Sequence, residues 1–458
     1  MRLVLALLLG LSAWVLGAEK PLQPHPVNPH YFLFRGKPTV LVTSGEHYGA
    51  VLNRAFDYRK YLDTLAADNL NLTRTFTGMY REVQGESFDI AGNTLAPRDA
   101  DFLHPFLGTD LTQWNPAYFA RWKDFVAYAG SKGIVVEVTL FTSYYNDTHW
   151  KISPTYSPEV KSDEVLALKH PKQTELQERF VRKLLAELKD FDNIYYEICN
   201  EPYFHGVTDA WQRRISAVVA EADGGRHMIS QNIANGSAEI KNPDRNVSLF
   251  NFHYARPPRA VAANWGLQKP IGMNETGFDG ALDAVYRIQA WDFLLAGGAL
   301  YNNLDYSFTV GHEDGTFVYP ATQPGGGTKA LRRQLKLLRQ FFDAIPFVDM
   351  QPDEKVAAGT DKADVVNVRA LSNGSSVWAM YLHTGKVVAN YKPAYGVYSR
   401  KIQPHVIVNL PAGEYEVQWW LPTETEPRKM VAWRHAGGAG VLTAPEFAED
   451  CAVIIRKK

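Results

Sequence analysis

From about residue 38 onward the chain alternates between two hydrophobic textures. Short runs of β-branched and aromatic residues lack polar alternation, and between them lie longer runs in which apolar residues return every three or four positions. The first texture suits strands of a parallel sheet buried on both faces, and the second suits helices with one apolar stripe. Strands are predicted at 39–43, 70–75, 134–140, 194–201, 227–231, 248–253, 271–275 and 299–304, with eight helical stretches following them. The helix at 172–189 places Leu176, Phe180, Leu184 and Leu188 on one stripe. Another starts at Asn115-Pro116 and turns Tyr118, Phe119, Trp122, Phe125 and Val126 inward, with Gly133 marking the return to strand. The last, 328–342, lies between the breaker Pro324-Gly325-Gly326-Gly327 and Pro346.

Eight such units over roughly 300 residues fit an α/β fold, the (β/α)8 TIM barrel with loop insertions. The long stretches 76–114 and 141–171 follow the second and third strands and are expected on the carboxyl-end face, where loops become binding walls. After Pro346 the texture changes. Short strands at 365–370, 377–382, 405–410, 415–421 and 452–456 follow one another between turn signals such as Asn373-Gly374, with no helix among them. The predicted organisation is a signal peptide at 1–18, a catalytic barrel at 19–345 and a small antiparallel β-sandwich at 346–458. Of the adjacent Trp419 and Trp420, one must face that sandwich's core and the other must face out, where it can bind polysaccharide or seal against the barrel, docking being the expected use.

Composition narrows the function. With 48 Lys and Arg against 49 Asp and Glu and no long run of one sign, nucleic acid is not an expected partner. The 11 Trp and 23 Tyr suit a surface that stacks against flat apolar faces of ligands, although cores absorb most of them. Residues 2–18 combine Arg2, an apolar run and a small Gly17-Ala18 pair, the pattern of a secretory leader, which predicts a secreted or periplasmic protein. No later stretch has the roughly 20 apolar residues of a membrane helix, so no membrane association is expected after cleavage. A monomer is expected. Cys199 and Cys451 are not expected to pair.

Two glutamates close strand-like runs: Glu201 in Glu197-Ile198-Cys199-Asn200-Glu201-Pro202, and Glu275 in Ile271-Gly272-Met273-Asn274-Glu275. The predicted order puts them at the ends of strands four and seven, which face each other across a barrel mouth, a geometry able to hold two carboxyls around a glycosidic bond. Glu197 lies two residues deeper and is expected to be a buried, hydrogen-bonded support. Weaker candidates are Glu46-His47-Tyr48 after strand one, and the loop aromatics Tyr144, Tyr145, Trp150, Tyr203, Phe204 and Trp265. His312-Glu313-Asp314 is metal-capable but has no second cluster at ligand spacing, so no metal is assigned.

The run Ile194 to Pro202 with its Asn200-Glu201-Pro202 end, together with Glu275, resembles clan A glycoside hydrolases, most nearly the cellulase-like family 5, over residues 30–345. That resemblance implies Glu201 as acid/base, Glu275 as nucleophile and Asn200 as donor to the sugar hydroxyl beside the reacting carbon. Arg74 in Asn71-Leu72-Thr73-Arg74 matches the arginine held near the nucleophile. His253 and Tyr254 resemble the strand-six pair at the site, yet here they are adjacent where the family usually spaces them by one residue. Strand eight offers Tyr306 and no Trp where the family stacks a sugar. The implied reaction is retaining hydrolysis of a β-linked oligo- or polysaccharide without a cofactor, Glu201 having its pKa raised by its surroundings. The alternatives are a transglycosylase on the same scaffold and a carbohydrate-binding barrel that has lost turnover.

Overall fold

The computed structural model describes residues 20–85, 90–320, 325–387 and 395–458. The predicted leader at 2–18 and Pro324 of the breaker lie outside the described residues.

All eight predicted strands form, with ends displaced by a few residues: β1 (Leu41–Gly45), β2 (Leu72–Phe76), β3 (Val135–Thr142), β4 (Ile194–Asn200), β5 (Ile229–Asn235), β6 (Leu249–His253), β7 (Ile271–Glu275) and β8 (Leu300–Leu304). They make one parallel sheet in the order β1-β8-β7-β6-β5-β4-β3-β2. Between β1 and β2 the near-closed barrel is joined through Asn71, whose side chain accepts from Val42 N at 2.9 Å and donates to Val40 O at 2.9 Å. The start of the first predicted strand belongs instead to a small N-terminal sheet containing Lys37–Thr39.

Outside the strands lie α1 (Tyr58–Ala67), α2 (Pro116–Ser131), α3 (Pro171–Leu188), α4 (Asp209–Asp223), α5 (Arg259–Asn264), α6 (Asp283–Leu295) and α7 (Lys329–Asp343). The start of α2 follows from its sequence: the Asn115 side chain accepts from Ala117 N at 3.1 Å and Pro116 takes the first helical position. Gly133, with φ 73°, supplies the left-handed turn into β3. One predicted helix is missing. Residues 236–248 return from β5 to β6 in turns, because Gly236 and Asn242-Pro243-Asp244 interrupt any helical run in so short a connection.

Beyond α7 the chain forms a six-stranded antiparallel sheet, which includes Val377–His383, Gly413–Trp420 and Asp450–Lys457, and a three-stranded one, which includes His405–Leu410 and Gly438–Thr443. Trp378, Met380, Val417, Val453 and Ile455 from the first meet Val406, Val408 and Leu442 from the second in one core. The other face of the larger sheet packs on the barrel, where Tyr381 stacks on Trp291 of α6 at 5.4 Å and Trp420 meets Phe341 of α7 edge-on at 5.4 Å. Trp420 is thus the residue that seals against the barrel, while Trp419 packs half-buried against the C-terminal core. Cys199 and Cys451 are both buried and free.

Because it is covered by barrel and sheet, α6 is buried on every side from Val285 to Leu295, and its polar residues need partners. Arg287 bonds Asp450 at 2.7 Å and Glu449 at 2.6 Å, and Tyr381 completes Asp450 at 2.7 Å. Arg287→Ala leaves the Asp450 charge buried without its cation. The variant is expected to lose about 3–5 kcal/mol of stability in urea denaturation. A loss under about 1 kcal/mol would show that the pair behaves like an exposed one.

Candidate active site

A pocket of about 400 Å³ opens at the carboxyl ends of the strands. The seven residues to which the family resemblance points come together there: Asn200, Glu201, Tyr254, Glu275 and Tyr306 line it, Arg74 bonds Glu275 from below, and His253 lies beside both glutamates. One oxygen of Glu201, one of Glu275 and a ring nitrogen of His253 all lie within 4.8 Å of one another.

Glu275, at the end of β7, receives Tyr254 Oη on Oε1 at 2.7 Å, and Arg74 Nη1 at 3.1 Å and Tyr48 Oη at 3.3 Å on Oε2. Burial first, and then the Glu275 charge, push the phenols of Tyr48 and Tyr254 well above their ordinary value, so both remain neutral donors. The adjacency of His253 and Tyr254 is resolved by the backbone. The β6–β7 register slips between Phe252 and His253, and Tyr254 adopts φ 51°, which turns its phenol onto Glu275.

Arg74 on β2 is fully buried among carboxylates. Its Nη2 reaches Glu197 Oε2 at 2.5 Å and Asn200 Oδ1 at 2.7 Å, its Nε bonds Glu197 Oε2 at 3.1 Å, and Glu137 Oε1 lies 3.6 Å away. Tyr48 covers the guanidinium face at 4.6 Å. Glu197 is the predicted buried support, also accepting from Thr139 at 2.9 Å and from Asn274 at 2.8 Å. Asn274 donates as well to Glu137 at 2.8 Å, and Tyr195 does so at 2.9 Å. Burial, and next the charge of Glu197, push the Glu137 carboxyl upward, which favours its neutral form and limits the negative charge around Arg74. Sequence reading passed over Glu137, although its signal was present as one carboxylate in the apolar run Val135-Val136-Glu137-Val138.

Glu201 follows β4 with φ 46°. This left-handed step ends the strand alternation that would place Asn200 away from the site, and Asn200 instead joins Arg74 and donates to Tyr145 Oη at 3.0 Å. Tyr145 in turn donates to Glu201 Oε2, and Tyr203 lies 3.3 Å from Oε1. His253 Nδ1 stands 3.4 Å from Oε1 of Glu201 and 3.4 Å from Oε1 of Glu275. The expected rise of the Glu201 pKa is not what this geometry gives. Burial acts to raise it, but hydrogen bonding and charge from His253, with hydrogen bonds from Tyr145 and Asn235, outweigh burial and hold the carboxyl below its ordinary value. Tyr48, Glu201, Tyr254 and Phe278 all line the pocket at φ 46–64°, so part of the backbone strain is held at the site.

The other aromatics divide. Tyr145, Tyr203 and Phe204 belong to the site, whereas Tyr144 and Trp150 pack beneath the loop and Trp265 stacks on His30 away from the pocket. Tyr306 forms a wall backed edge-on by His47 at 4.8 Å. Among the described residues, Glu201, His253 and Glu275 are the one trio whose ligand atoms are close enough for a metal ion, and Arg74 already brings a cation to Glu275.

Residues 36–260 match the family model of cellulase (glycosyl hydrolase family 5), a span that includes Glu201 and stops short of Glu275. No curated protein matches the sequence. Among solved structures the chain is similar to a glycoside hydrolase at 14% identity and TM-score 0.65, the likeness covering 96% of this chain and 97% of that one. It is similar to a glycoside hydrolase family 5 protein from Bacteroides vulgatus ATCC 8482 at 15% identity and TM-score 0.65, over 95% and 93% of the two chains. A glycoside hydrolase family 5 mannosidase from Rhizomucor miehei matches at 11% identity and TM-score 0.51, over 71% of this chain and 98% of that one. Likeness at such identities is one of fold, and in the first two it extends through the C-terminal sheets. Residues 36–260 thus carry the match to the glycosyl hydrolase family 5 cellulase model, within a near-closed (β/α)8 barrel that bears an appended C-terminal β region.

Proposed function

We propose that the protein is a retaining glycoside hydrolase acting on β-linked glycosides by double displacement, with Glu275 as nucleophile and Glu201 as acid/base. The observation that carries this reading is the carboxylate separation: oxygens of the two side chains lie within 4.8 Å. Inverting enzymes hold their carboxyls roughly 6.5–9.5 Å apart to admit a water, and retaining ones about 5–5.5 Å. The surroundings support the division of roles. Glu275 is held by a fixed cation and two phenol donors, which keep its carboxyl in place for attack. Glu201 is bordered by Phe204 at the rim. Glu275 attacks the anomeric carbon while Glu201 gives its proton to the departing oxygen, and Glu201 then takes a proton from the water that releases the sugar. A leader at 2–18 would deliver such an enzyme to glycans outside the cytoplasm.

The test is a panel of aryl β-glycosides with the first-formed anomer followed by NMR. The β anomer is expected first. An α product would overturn double displacement, and no hydrolysis of any glycoside would overturn the hydrolase reading.

A pH prediction follows from the depressed Glu201. The first step needs Glu201 protonated, so kcat/KM falls as Glu201 ionises, and a carboxyl held low puts that alkaline limb on the acid side of neutrality. His253 is the foremost lowering influence. His253→Asn removes it, raises Glu201, and is expected to move the alkaline limb to higher pH. A limb that stays in place or moves toward acid would refute this.

A further inference from the structure

We infer that the enzyme acts from the chain end, releasing a short glycone from the non-reducing terminus and not cutting within a polymer. The inference rests on the hydrolase reading above and concerns the shape of the same site. The loop that leaves β2 does not lie open beside the mouth; it is fastened to the loops after β1 and β8. The buried Glu46 carboxylate accepts from Gly49 N at 2.9 Å, from Ala50 N at 3.0 Å and from the Thr94 hydroxyl. The two backbones are in contact here, since a Cβ on Gly49 would stand 2.0 Å from the Thr94 carbonyl. Leu103 N bonds Leu52 O at 2.8 Å, and Val310 N, after β8, bonds Gly92 O at 3.0 Å.

This fastening places a wall across the β8-β1-β2 side of the pocket. Of its lining residues, His47, Tyr48, Tyr80, Leu95 and Tyr306 are buried, and Glu82 and Val83 are partly buried. The rest of the rim is different: Phe204 and Phe278, following β4 and β7, line the same pocket at 39% and 37% exposure. Glu201 must stand beside the leaving oxygen, and it lies on this open side against Tyr145 and Tyr203, which flank Phe204. The departing chain therefore leaves between the two phenylalanines. The glycone is confined under the wall, in a pocket whose volume of about 400 Å³ is near the lower end for small-molecule sites. An internal cut would require polymer to continue through the wall.

The test uses the full chain and the sugar that gives turnover in the aryl glycoside panel. Oligosaccharides of that sugar are labelled at the reducing end, with and without a ketal cap on the non-reducing terminal ring, and the soluble polymer is followed by viscosity and by reducing ends together. The expected results are a label that stays on steadily shortening chains, loss of turnover on capping, and viscosity that lags behind reducing-end release. A spread of internal fragments, unchanged turnover of capped chains and a steep early fall in viscosity would overturn chain-end action while leaving the hydrolase reading intact. No turnover of any substrate, with wild type and Glu275→Ala alike, would defeat both.

Discussion

Glu275→Ala is expected to lower kcat by roughly four to six orders of magnitude, the range found when an acting nucleophile is removed. Azide is expected to restore turnover of an activated aryl β-glycoside as the inverted glycosyl azide. The loss corresponds to about 5.5–8 kcal/mol of barrier. The site is suited to the experiment, because Glu275 forms part of the pocket lining and its removal leaves a space bounded by Tyr48, Tyr254 and Arg74. Arg74 keeps Glu197 and Asn200 as partners, so the variant should remain folded and its melting transition should confirm that. A variant that turns over within about tenfold of wild type would remove Glu275 from the chemistry.

The second large effect is expected at Arg74. Its guanidinium is the cation shared by Glu197, Glu275 and, at 3.6 Å, Glu137, and it is 1% exposed. Arg74→Met leaves the Glu197 and Glu275 carboxylates buried without compensation and is expected to destabilise the barrel by about 3–5 kcal/mol. Arg74→Lys keeps the charge but cannot reach Glu197, Asn200 and Glu275 at once. It is expected to fold and to lose about 10²–10³ in kcat/KM. Urea denaturation of the first variant and kinetics of the second separate the two functions of this residue. Wild-type stability in the methionine variant would show that the negative charge is balanced elsewhere.

Much of this site was legible because strands declare themselves locally. Apolar runs of the right length located all eight barrel strands, and counting them set Glu201 after the fourth and Glu275 at the end of the seventh. Glu197 was legible for a related reason: a charge inside a buried strand requires a partner, and the barrel interior supplies one in Arg74, which the family resemblance had pointed to. The absent helix at 236–248 was misread because a strand must be followed by some return path, and the expected repeat supplied a helix where Pro243 forbids one.

What the sequence by itself determined is the barrel and the heights of its charged side chains, since both follow from short-range periodicity and from the refusal of buried strands to carry unpaired charge. What only the tertiary structure decided is how those side chains turn and which groups they meet. The register slip at His253 and the left-handed conformations of Glu201 and Tyr254 bring Glu201 to the same site as Asn200, and Tyr254 to the same site as His253, against strand alternation. The low pKa of Glu201 comes from His253, which lies 52 positions away in the chain, and from Tyr145 in another loop. The wall depends on Glu46, Gly49 and Thr94 meeting at one point. These are contacts between atoms distant in sequence, and a repeat of two residues carries no information about them.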